Sequence, residues 1–174
     1  MRIAHRLLIS FVLVALVGML AYGSSPQASA GTKAKPSASA APPAGWKTVT
    51  NDAKTCKLSL PPAWVQPDSE GMFGRMEKGE MAMFIEDEET QKAGNWDPVH
   101  QMIDKKKSTG AKVEILEESP ERIIFQAPHG SLLAVMSFRR SPKTLCVAQI
   151  AVPAGEPDSQ ETARQIAESL APAP

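Results

Sequence analysis

From residue 55 to 60 the sequence TCKLSL alternates, with Cys56, Leu58 and Leu60 on one side and Thr55, Lys57 and Ser59 on the other. A period of two marks a strand with one buried face. A short first strand is predicted just before it, over 46–50, and Pro61-Pro62 ends it ahead of Trp64. Residues 72–77 and 80–86 flank Lys78-Gly79. This predicts a hairpin whose glycine supplies the positive φ of a two-residue turn.

The period then lengthens. Asp97-Pro98 opens a helix, with Asp97 as the predicted cap and Pro98 in the first turn, where its missing N–H costs nothing. Val99, Met102, Ile103 and the stem of Lys106 form its inner stripe, and Gly110 is a natural stop. Strand-like runs follow over 112–117, 122–127, 132–139 and 144–152, separated by the turn signals Pro128-His129-Gly130 and Ser141-Pro142-Lys143. Asp158 begins a last helix, with Glu161 placed for a capping box and Ala163, Ile166, Ala167 and Leu170 as its stripe.

Strands joined by short turns must be antiparallel, because a parallel crossover needs a dozen residues or more. Over 145–152 only Gln149 is polar, so that strand must be covered on both faces. The predicted fold is α+β: one antiparallel sheet of about six to seven strands flanked by two main helices, an α/β/α sandwich.

The first 45 residues follow another pattern. Arg2, His5 and Arg6 precede an uncharged apolar run over 7–22, and Ala28-Ser29-Ala30 is a small-residue cleavage site. These are the three parts of a secretion signal, predicted to be cut after Ala30. The apolar run of 16 residues is short of the roughly 20 that span hydrocarbon. No Cys lies near the site, which excludes a lipid-anchored form. Residues 31–45 (GTKAKPSASAAPPAG) hold no large apolar side chain and read as a flexible linker. A single domain is expected over 46–171, secreted or periplasmic. The 174-residue chain balances 19 Lys and Arg against 19 Asp and Glu; without residues 1–45 the count is 15 against 19. A mildly acidic domain has no electrostatic footprint for nucleic acid and little attraction for anionic lipid.

The run CKLSLPPAW over 56–64 resembles the strand–Pro–Trp entry of PsbP-like domains. LCVAQIAVP, followed by ETARQIAESL, resembles the last strand and closing helix of that superfamily, which also includes DcrB-like proteins. The resemblance implies the sandwich fold and a class that mostly lacks catalysis. The lipobox of the DcrB type is missing, and no ligand or partner site carries over residue by residue.

Candidate chemistry is sparse. Cys56 and Cys146 lie at inward positions of predicted strands in an oxidising compartment. They form either a disulfide or two separate buried thiols. If bonded, the strand over 55–60 must lie next to, or diagonally near, the strand over 144–152 in the central sheet. Two distant Cys make no zinc site. Clustered thioethers outside the membrane are able to hold Cu(I). With a two-residue turn, however, Met76 faces Met81 and Met72 faces Ile85. Met72, Met76, Met81, Met83 and Ile85 then share one face, and Arg75, Glu77, Glu80 and Glu86 share the other with Phe73 and Phe84. This predicts a core-facing methionine side and no tight copper binding.

The acidic run over 86–89 lacks the alternation and turn glycine of a calcium loop and reads as a solvated strand exit. Lys105, Lys106 and Lys107 read as the wet face of a helix. His100 and the His129-Gly130-Ser131 turn have no catalytic partners in sequence. No catalytic residue, metal ligand or cofactor site is assigned. The function expected is a non-catalytic accessory module with a protein partner. A small-ligand or metal carrier, and a hydrolase with dispersed residues, are the alternatives.

The signal reading has a direct check. Mass spectrometry of the protein from its native source should show Gly31 as the first residue. A mass that retains residues 1–30 would establish an anchored form.

Overall fold

The computed structural model describes residues 42–67 and 71–174. The expected signal over 1–30, and the linker as far as residue 41, lie outside the described residues. The chain runs β1 (Lys47–Thr50), β2 (Cys56–Leu60), β3 (Met72–Arg75), β4 (Glu80–Ile85), α1 (Glu88–Ala93), α2 (Asp97–Ser108), β5 (Glu114–Glu118), β6 (Arg122–His129), β7 (Leu132–Arg140), β8 (Leu145–Pro153), α3 (Pro157–Glu168) and β9 (Ala171–Pro172).

The architecture is the expected α+β sandwich, but it has two antiparallel sheets rather than one. Six strands are ordered β3-β4-β8-β7-β6-β5, and three are ordered β1-β2-β9. The physical reason lies in β8. It pairs with β4 from Val147 to Ala151 and with β7 along its whole length, so neither edge is left for β2. The strand carrying Cys56 instead pairs with β1 and with the end of the chain.

Both faces of β8 are covered. On one, Cys146, Ala148, Ile150 and Val152 meet β2 and the α3 residues Ala163, Ile166 and Ala167. On the other, Val147 joins Ile123, Phe125 and Phe138 beneath Val99 and Ile103 of α2. Each fully buried side chain of this kind contributes roughly 1.5–3 kcal/mol. Ser137 Oγ also donates to Ala167 O at 2.7 Å, fixing α3 over β7.

The helix starts differ from the sequence reading. Trp96, not Asp97, holds the N-cap position of α2 without a side-chain cap, and its ring Nε1 donates to the carbonyls of Ser119 and Pro120 at 3.2 Å. The Asp97 carboxylate accepts instead from Asn95 Nδ2 at 2.9 Å. α3 begins at Pro157, and Glu161 bonds Arg164 and Gln165 rather than closing a capping box. The acidic run is not a bare strand exit. Asp87 accepts from Thr90 N–H at 2.9 Å and from Thr90 Oγ1 at 2.7 Å, and so caps the short α1.

The hairpin is also corrected. Residues Met76–Lys78 form a 3-10 turn closed by Gly79 at φ +68°, and the register pairs Arg75 with Glu80 and Met72 with Met83. The two-residue turn would have set Glu77 opposite Glu80, a like-charge pair that destabilises a ladder. The longer turn sets an arginine there. The inner side is then Phe73, Ala82 and Phe84, with the two rings edge to face at 6.5 Å. Met72, Met81 and Met83 are only half-buried on the other side, and Met76 is 40% exposed in the turn.

Cys56 and Cys146 are joined, with sulfurs 2.08 Å apart and Cα atoms 5.6 Å apart. The bond crosses from the small sheet to the large one, so the strands it links are not neighbours in one sheet. It closes a loop across a sequence separation of 90. Reduction, or Cys56→Ala with Cys146→Ala, should lower stability by roughly 2–4 kcal/mol and melting by several degrees. Thiol titration of the unfolded, unreduced protein should find no reactive thiol; finding two would overturn the pairing.

Candidate functional site

Among the described residues two charged side chains are buried, Glu80 and Arg122. Glu80 faces Arg75 across the hairpin. Arg75 grips both carboxylate oxygens, Nη2 donating to Oε1 at 2.7 Å and Nε to Oε2. Ser159, in the first turns of α3, donates to the same Oε1 at 2.8 Å. Burial alone would push the Glu80 carboxyl up. The hydrogen bonds from Arg75 and Ser159, with the arginine charge, outweigh it and hold the group below the usual carboxylate range. An ionised, fully bonded carboxylate is poorly suited to proton transfer. It acts as a clamp between the hairpin and α3. Arg122 is paired through one contact, Nη1 donating to Glu117 Oε2 at 3.1 Å, while its buried Nε has no partner among the described residues.

A cleft opens where the ends of β4 and β8 meet the 51–55 turn and α1. It has two neighbouring parts of about 360 and 380 Å³ that share Gln91, Lys143, Thr144 and Leu145 as lining. Cys56 lines one wall, and Ile85, Leu145 and Val147 supply apolar surface. Glu86, Asp87 and Glu88 line one part, Arg140 lines the other, and Lys143 borders both. The guanidinium of Arg140 stacks 4.5 Å from the Trp96 ring and donates to the carbonyls of Thr90 (3.1 Å) and Asn95 (2.7 Å). This anchors α1 and the start of α2 to the end of β7. Glu86 and Lys143 hold no hydrogen bond or ion pair with described residues, so both charges face the cleft unspent.

The other residues singled out in the sequence do not converge. His100 Nε2 lies 3.1 Å from Glu118 Oε1 at the surface. His129 and Ser131 sit exposed at the β6–β7 turn. Lys105 and Lys107 are exposed on α2, and Lys106 is half-buried. No group of three His, Cys, Asp or Glu is placed to hold a metal among the described residues. The cleft itself escaped the sequence reading, since its walls come from segments about 90 residues apart. The only signal was the pair of cysteines that joins those segments.

No protein-family model matches the chain, and no curated protein matches it. Among solved structures it is similar to the solution structure of cyanobacterial PsbP (CyanoP) from Synechocystis sp. PCC 6803. The TM-score is 0.42 at 12% identity, over 73% of this chain and 92% of that chain. It is a likeness of fold alone.

The Glu80 clamp predicts a pH dependence. A carboxylate held low when folded adds stability above its unfolded pKa, and loses it as pH falls through the folded pKa. Glu80→Gln should lower stability at neutral pH by about 1–3 kcal/mol and flatten this acid limb. Urea unfolding across the acid range checks both. An unchanged acid limb would mean that Glu80 is not the linked group.

Proposed function

We propose that the chain is a non-catalytic accessory module that acts outside the cytoplasmic membrane by binding another protein at the cleft beside Cys56. The observation that carries this reading is an unspent acid and an unspent base, Glu86 and Lys143, on the walls of a partly apolar groove. Such a groove fits an extended segment whose own charges alternate in sign, and charge at the rim governs partner choice and encounter rate. The disulfide supports an oxidising compartment. The engaged state of Glu80, Arg122 and Asp87 supports structural rather than catalytic work for those groups.

Site-specific photocrosslinking in the native cell tests it. A crosslinker at Lys143 should capture one protein, and the same group at Lys105, on the wet face of α2, should not. Lys143→Glu should weaken the isolated complex at least tenfold with an unchanged melting temperature. Equal capture from both positions, or none from Lys143, would overturn the reading.

A further inference from the structure

With the phenylalanine side of the β3–β4 hairpin in the core, three thioethers occupy its other side. The register sets Met72 directly across from Met83, and Gly74 across from Met81. Strand geometry puts the Cβ atoms of Met72 and Met83 about 5 Å apart, those of Met81 and Met83 about 7 Å apart, and the Met72–Met81 diagonal at about 7–8 Å. Flexible, unbranched side chains on such a triangle are able to bring their sulfurs to one point. All three residues are half-buried, reachable yet partly shielded from water.

The surroundings favour a soft ion. Gln149 pairs with Met83 on one side and Met136 on the other, so a fourth thioether stands one strand further along the same face. The apolar stripe of α2 packs around Ile123, Phe125, Phe138 and Val147. Gly74 puts no side chain beside Met81, and a Cβ there would meet Glu80 O at 2.1 Å, so no larger residue fits. Both cysteines are committed to the disulfide.

We propose that Met72, Met81 and Met83 form a Cu(I) site on this face of the hairpin. Thioethers are soft donors suited to Cu(I) and carry no proton at any ordinary pH. Thiolate and imidazole sites must release protons to bind, so their affinity rises with pH. A thioether site on this protein binds without that penalty and holds copper equally well in acidic and neutral surroundings. The proposal goes beyond the protein-binding reading and uses residues that do not line the cleft.

Anaerobic titration of the protein with Cu(I) against a chromophoric chelator, disulfide intact, tests it. One ion per chain should bind, with the same affinity at pH 5.5 and pH 8. Met72→Leu, Met81→Leu and Met83→Leu conserve volume; each should weaken binding at least tenfold, and the triple variant should abolish it, with melting unchanged. Met76→Leu, in the turn and off the strand register, should leave the affinity as it was. X-ray absorption of the loaded protein should show sulfur as the main neighbour. Absence of stoichiometric binding would overturn the site. So would affinity that climbs with pH, binding that survives the triple variant, or loss caused by Met76→Leu.

Discussion

The constraint on which the rest depends is the saturation of β8. Both its edges are hydrogen-bonded and both its faces are covered. Full edges force the segment carrying Cys56 into a second sheet. Two apolar faces require a layer on each side, which α2 supplies on one and α3 with β2 on the other. The disulfide then becomes a link between layers, and the cleft is the gap left where the layers part near the ends of β4 and β8. The position of the candidate binding groove thus follows from one strand of nine residues.

Much of this was legible in the sequence. The unbroken apolar run of β8 announced two covered faces, and the stripes of α2 and α3 named their buried residues. Strand boundaries from 122 onward fell within a residue or two of those observed. What failed was local and electrostatic. α1 has six residues and buries only Thr90, so it leaves no periodic stripe to read. Lys78-Gly79 is a strong signal for a two-residue turn, whereas the turn spans 76–79. The deciding fact is electrostatic: a register that brings Arg75, not Glu77, opposite Glu80.

The same pair explains why the hairpin's inner side was misjudged. Both sides carry large apolar residues, methionines on one and phenylalanines on the other. The presence of Arg75 and Glu80 made the phenylalanine side look wet. Once paired, and joined by Ser159, those charges are satisfied, and the side with aromatic area becomes the better core. A single-residue hydropathy count treats each charge as isolated and cannot see this. The candidate copper site is the complement of that outcome, since the methionines take the side of the hairpin that the phenylalanines leave.

β9 closes on β2 across most of the described sequence. Pro172 pairs with Cys56, Ala171 with Lys57, and Ala173 N–H bonds Thr55 O at 2.8 Å. Synthesis runs from the N-terminus, so β2 carries one unfilled edge until residues 171–173, beyond α3, have been made. The layer that holds Cys56 is therefore finished only by chain that follows the helix packed upon it.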